Sequence, residues 1–181
     1  MALVNVCSFK DTPKNKIVVN TTSRSKTWGR ELSPFLLGPI KLYDDYISQN
    51  VENAWQYSKV YHEFVDEDGN PSSKYFEWAN HGWNKTIADR YPAGKGRKPL
   101  YSYWNGQKLS YIEARRKIYA PIYSDAVENT EAYQKLKKLY FECDEIWLWD
   151  FDGYDFRKLN MSFQDVMESK SKKWVMLSFW L

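Results

Sequence analysis

Glu52, Trp55, Gln56 and Lys59 lie within the stretch VENAWQYSKVY (51–61), at intervals of three, four and seven residues from the first. The stretch reads as a helix, and at those intervals its residues share one face. A core-facing helix carries Leu, Ile or Val there. This one carries a carboxylate, an indole, an amide and an ammonium. Along a helix, seven residues rise roughly 10 Å, too far for Glu52 and Lys59 to pair directly. A ligand between them would touch both. A solvated face would also accept the charged groups, but a Trp in its middle favours a site wall.

Three further groups carry chemistry. RYPAGKGRKP (90–99) gathers Arg90, Lys95, Arg97 and Lys98 around two glycines, with Lys85 nearby. Gly-rich backbone and Arg forks suit phosphate oxygens, although no Walker A spacing follows. DFDGYD (150–155) places Asp150, Asp152 and Asp155 after an expected strand. Its glycine comes too early for an EF-hand and no Glu closes the loop, so the carboxylates suit acid or base work better than calcium. KPLYSYW (98–104) brings Trp104 next to the basic loop.

The elements that must position these groups are short. ALVNV (2–6), KIVVN (16–20) and EIWLWDF (145–151) read as strands. Asn50 or Ser48 would cap the helix over 51–61. Residues 34–43 carry two prolines and are expected to be extended or irregular. VDEDGNPSS (65–73) is a turn. Residues 72–92 are expected helical to Gly82 and again to Tyr91. A helix over 110–129 should kink or break at Pro121. Further helices are expected over 130–142, with Tyr133, Leu136 and Tyr140 on one side, and over 162–172, capped by Ser162. The class is α+β and helix-rich, with a few short strands in a single compact domain over 1–181.

Composition narrows the function. Nine Trp and fourteen Tyr exceed what a core of 181 residues needs, and such side chains suit half-wet ligand sites. A net charge of +3 does not by itself argue for nucleic acid. Cys7 and Cys143 have no CxxC spacing and fit free thiols in a reducing, cytoplasmic setting. Two histidines make a metal site unexpected. The longest apolar run, WVMLSFWL (174–181), is too short to span a bilayer, so no membrane partner is expected.

The order of these motifs resembles the NADAR, or YbiA-like, family. The matching residues are Leu32, Ser33, Phe35, Pro39 and Ile40, then Glu52, Gln56 and Lys59. KPLYSYW resembles the segment with the family's site tryptophan, here Trp104. YIEARRKIYAPIY (111–123) resembles the next helix, and DEIWLWDFDGYD (144–155) the last strand and a functional aspartate, Asp152 or Asp155. Pro34 replaces the family's Asn, and its closing Asp-x-x-Trp-Gly is absent. The resemblance covers 31–155, leaving 156–181 as an extension packing on that core.

The resemblance implies hydrolysis of an N-glycosidic bond between a phosphorylated or ADP-linked ribose and a base or amine, free or carried on DNA, with no cofactor and no metal. It makes Glu52, Lys59, Asp152 and Asp155 the catalytic candidates. Trp55, Gln56, Trp104, Arg90, Lys95, Arg97 and Lys98 are then substrate-binding candidates. Glu52 or the Asp152/Asp155 group would stabilise the charge that builds at C1 and activate a water as general base. By another route Lys59, if neutral, would attack the sugar C1 and form a Schiff base after ring opening. A non-catalytic module for nucleotides or single-stranded nucleic acid is the alternative, because such modules also pair basic grooves with stacking aromatics. A protein-interaction domain would share the aromatic surplus.

Overall fold

The computed structural model describes residues 1–154 and 159–168. The fold is α+β and helix-rich. Its strands are β1 (Leu3–Cys7), β2 (Val18–Asn20), β3 (Ile40–Lys41), β4 (Ile47–Ser48), β5 (Lys59–Val60), β6 (Tyr101–Trp104), β7 (Gln107–Leu109) and β8 (Glu145–Trp149). Its helices are α1 (Val51–Gln56), α2 (Ser73–Trp83), α3 (Tyr111–Ala114), α4 (Ala120–Glu128), α5 (Glu131–Glu142) and α6 (Phe163–Glu168). Two compact units emerge: residues 1–33 with those from 127 on, and residues 34–126.

In the first unit β8 lies between β1 and β2, parallel to both. Val4 and Val6 sit beside Ile146 and Leu148, and all four are buried. Along the central strand the buried Ile146 and Leu148 alternate with the half-buried Trp147 and Trp149. Thr130 caps α5 by accepting from Tyr133 N at 3.1 Å. On α5 Tyr133 and Leu136 are buried and Tyr140 is half-buried. Past β8 the chain turns tightly against β1, where a Cβ on Gly153 would stand 2.2 Å from the Cys7 carbonyl oxygen. Only glycine permits that approach. Ser162 does cap α6, accepting from Asp165 N at 3.1 Å. Of the expected extension, 156–158 and 169–181 lie outside the described residues.

In the second unit β6 is the middle strand of an antiparallel sheet, β5-β6-β7. An aromatic core that includes Tyr43, Tyr57, Tyr61, Phe64, Tyr75 and Trp83 packs there. Three expectations change in this unit. The helix over 51–61 ends at Gln56, and Lys59 stands on β5. The helix from 72 does not resume after Trp83, because the backbone of 85–89 bonds to the Asn53 side chain instead of to itself. Finally, the chain stays helical through Pro121. A π-helical turn over Arg115–Tyr119 directly precedes α4 and adjusts the ladder where proline lacks its N–H.

Candidate functional site

Helix α1 is short, and its neighbours hold it at both ends. The Asn50 side chain accepts from Asn53 N at 2.8 Å, a cap of the expected kind, while Ser48 Oγ donates to Asn50 O at 2.8 Å. The next two amides find carbonyls in the preceding irregular segment: Val51 N bonds Leu37 O at 2.9 Å and Glu52 N bonds Pro34 O at 3.0 Å. Helix-start amides left unpaired in a buried setting would be costly, and this segment removes that cost. Ser58 Oγ donates to Trp55 O at 2.8 Å just past the end of α1. The chain then enters β5, where Lys59 faces Ser102 across the ladder.

The polar row survives the change of element. Lys59 Nζ donates to Gln56 Oε1 at 2.6 Å, and Gln56 Nε2 donates to Glu52 Oε1 at 2.8 Å. The row is a wall of buried polar groups and not a solvated face: Glu52 is 7% exposed and Gln56 9%. Burial pushes the Glu52 carboxyl above its usual range, and the Gln56 hydrogen bond and the charges of Lys59 and Arg90 oppose that shift only in part. Burial brings the Lys59 amine down to about 8, against the pull of Glu52. Both groups are thus driven toward their neutral forms by the same cause.

Trp55 completes the wall. Lys59 Nζ stands 4.9 Å from its ring centre. Tyr111 and Tyr119 meet the same indole at 6.0 and 5.4 Å. Arg115, 2% exposed, lies 4.5 Å from the Tyr111 ring and donates to its hydroxyl at 3.0 Å. Trp104 is two residues along β6 from Ser102, so it shares the face that Lys59 meets. Its ring stands edge-on to Tyr43 at 5.0 Å.

The basic residues separate. Arg90 is exposed, and its charge reaches Glu52. Lys95 and Lys98 are exposed. Arg97 forms a two-pronged pair with Glu63 at 2.7 and 2.8 Å and lies 5.4 Å from the Tyr61 ring. Asp152 belongs to the first unit, in the turn after β8, and its N–H bonds Asp150 Oδ1 at 3.0 Å. Asp155 lies outside the described residues. The second unit therefore brings together Glu52, Trp55, Gln56 and Lys59, while the Arg90 guanidinium lies 5.9 Å from the Tyr91 ring.

Sequence reasoning missed Asn53, Tyr57, Tyr111, Arg115 and Tyr119. Asn53 and Tyr57 sit four apart on a helix already under scrutiny, and that spacing was the available signal. The other three sit on the helix named for its resemblance, without a motif of their own.

Among the described residues no helix is long and apolar enough to cross a membrane. Cys7 and Cys143 are free thiols. No curated protein and no solved structure matches the chain. One family model, Family of unknown function (DUF6939), matches residues 5–169, and the chain belongs to that family.

Proposed function

We propose that the protein is an N-glycoside hydrolase acting in the cytoplasm on a phosphorylated ribosyl or ADP-ribosyl substrate. The hydrogen-bonded row Glu52–Gln56–Lys59 carries this reading. A buried carboxyl raised in pKa, joined through Gln56 to an amine lowered to about 8, offers a proton donor and a nucleophile in one row. The resemblance to the NADAR family in the same residues supports it further.

In this reading the neutral Lys59 amine bonds to the sugar C1 as the C1–N electron pair leaves with the base. The protonated Glu52 carboxyl supplies the proton to the departing nitrogen. The new ammonium loses a proton while the ring oxygen gains one, and the ring opens to a Schiff base. Water, deprotonated by the Glu52 carboxylate, hydrolyses it and frees the amine. Gln56 holds the two groups in register, and the Trp55 indole keeps bulk water from the amine.

The test is incubation with ADP-ribosylated guanine in DNA and with phosphoribosylamines, read by mass spectrometry with and without borohydride. Release of base and a reduced adduct on Lys59, lost in Lys59→Ala and Lys59→Arg, is expected. Full turnover by Lys59→Ala with no adduct on wild type would leave a carboxylate-and-water mechanism. Binding of both substrates without turnover of either would overturn the hydrolase reading in favour of a nucleotide-binding module.

A further inference from the structure

Gln56 is 9% exposed, and both ends of its side-chain amide are engaged. Nε2 donates to Glu52 Oε1 at 2.8 Å, and Oε1 accepts from Lys59 Nζ at 2.6 Å. An amide in this orientation treats its two neighbours differently. It requires an acceptor on one side and a donor on the other.

The carboxyl follows from the first requirement. A protonated carboxyl that accepts an N–H through one oxygen keeps its carbonyl there and carries its proton on the other. For Glu52 that other oxygen is Oε2. It has no hydrogen-bond partner among the described residues, and unlike Tyr43 Oη and Trp83 Nε1 it is not enclosed. The side chain as a whole is 7% exposed. The oxygen that opens from this buried carboxyl is thus the one that holds a transferable proton.

The amine follows from the second. Beyond its carbon, a neutral lysine nitrogen has two N–H bonds and a lone pair. One N–H goes to Gln56 Oε1. Nζ also lies over the Trp55 ring, 4.9 Å from its centre. The electron-rich face of an indole attracts an N–H and repels a lone pair. The second N–H therefore takes the indole, and the lone pair is left in the remaining direction, away from both. The reverse amide orientation would aim Nε2 at the lone pair and Oε1 at the acid proton, and Gln56 would then occupy both reacting groups.

We propose that Gln56 is a positioning residue that sorts the protons of the row, placing the acid proton on Glu52 Oε2 and, with the Trp55 ring, freeing the Lys59 lone pair for bond formation. The roles of acid and nucleophile rest on the function proposed above; the placement of proton and lone pair does not. On this placement Lys59 also takes free aldehydes. The nitrogen bonds to the carbonyl carbon while one of its protons passes to the carbonyl oxygen, giving a hydroxyl. Glu52 Oε2 then protonates that hydroxyl, which leaves as water. Amine, aldehyde and carboxylic acid become iminium, water and carboxylate.

The experiment compares wild type, Gln56→Met and Gln56→Glu, each checked for folding by circular dichroism. Formaldehyde and ribose 5-phosphate are offered separately with cyanoborohydride, and the reduced adduct on Lys59 is mapped by mass spectrometry. Formaldehyde is small enough for bulk water to reach its hydroxyl, so it reads the lone pair. Ribose 5-phosphate reads the placed acid proton as well. Rates at pH 7 are divided by the neutral fraction of Lys59, taken from its 13C NMR midpoint in each protein. Per neutral amine, Gln56→Met should match wild type with formaldehyde and fall at least about tenfold with ribose 5-phosphate. Gln56→Glu sets a carboxyl against both neighbours, so its Lys59 midpoint should rise and its ribose 5-phosphate reaction should be lost. The amide orientation has its own readout: the Gln56 Nε2 protons should shift as Glu52 titrates.

An equal loss with both aldehydes in folded Gln56→Met reduces Gln56 to a packing residue and overturns the proposal. So does an unchanged rate with ribose 5-phosphate. A loss confined to sugar binding, with the saturated rate intact, makes Gln56 a sugar ligand and overturns it too. A wild-type Lys59 that reacts with neither aldehyde overturns the freeing of the lone pair, and reaction with formaldehyde alone overturns the placement of the acid proton. No N-glycoside enters these readouts, so failure of the hydrolase reading shows separately, as adduct formation without release of a base from glycosides.

Discussion

Lys59 Nζ stands 4.9 Å from the centre of the Trp55 ring, although the two residues belong to different elements, a strand and a helix. The indole shields the amine from water, and desolvation is the larger cause of its pKa falling to about 8. Reaction of Lys59 with a carbonyl substrate under borohydride should therefore rise with pH. With a midpoint near 8, the neutral fraction grows about tenfold between pH 7 and pH 9. Trp55→Ala opens the amine to water and should move the midpoint up, toward that of an ordinary lysine. Peptide mapping of the reduced adduct across pH measures both.

Glu52 acts on Lys59 in the opposite sense. In the share of molecules where Glu52 is ionised, its charge favours the ammonium and raises the Lys59 pKa. Glu52→Gln removes that charge while keeping the hydrogen-bonding shape. The Lys59 midpoint should then fall further below its wild-type value. NMR of 13C-methylated lysines reports it directly, and a midpoint that rises would contradict the geometry of the row.

The same carboxyl makes stability depend on pH. Its folded pKa lies above the reference value of 4.5, so the folded protein holds this proton more tightly than the unfolded chain does. The resulting stabilisation is complete below 4.5 and is lost as pH rises through the folded value. Glu52→Gln lacks the proton altogether. Urea melts of the two proteins should show the balance moving toward the variant as pH rises from about 4.5.

Gly82 offers a mechanical test. A Cβ placed there would lie 2.0 Å from the Tyr57 ring. Gly82→Ala must displace that ring or the helix that carries it. A loss of roughly 1–3 kcal/mol in urea unfolding is expected for such overpacking.

Arg90 and Arg97 should differ although only seven residues apart. Arg97 is already engaged by both Glu63 oxygens at a site open to solvent. Arg97→Gln should leave KM for a phosphorylated substrate close to wild type. Arg90→Gln should raise it, and should do so less for a dephosphorylated analogue.

The helix-rich α+β class was legible in the sequence, and so was the aromatic strand over 145–149. Asn50 was one of two candidate caps, with Ser48, and it is the one that caps α1. The row Glu52–Gln56–Lys59 was legible for a partly mistaken reason. Helical spacing grouped its members, yet Lys59 reaches Gln56 from a two-residue strand. That strand exists because Tyr101 and Ser102 pair with it, some forty residues away, and no local periodicity signals such a partner. The segment 84–91 misled in the same way: its residues accept a helix, but Asn53 claims their backbone groups. The partnership of β1 with β8 spans nearly the whole chain and leaves no trace in either stretch alone.

The π-helical turn over Arg115–Tyr119 has a rotational meaning. In an unbroken α-helix, the eight steps from Tyr111 to Tyr119 would leave their side chains roughly 80° apart around the axis. Counting one residue as surplus, absorbed by the wide turn, brings that offset down to roughly 20°. Both tyrosines then look the same way, and both meet Trp55. The wide turn works as a phase shifter. A chain shortened by that one position would close into a plain α-helix with the same offset of roughly 20°, so the wide turn admits an extra residue without changing the way the two tyrosines look.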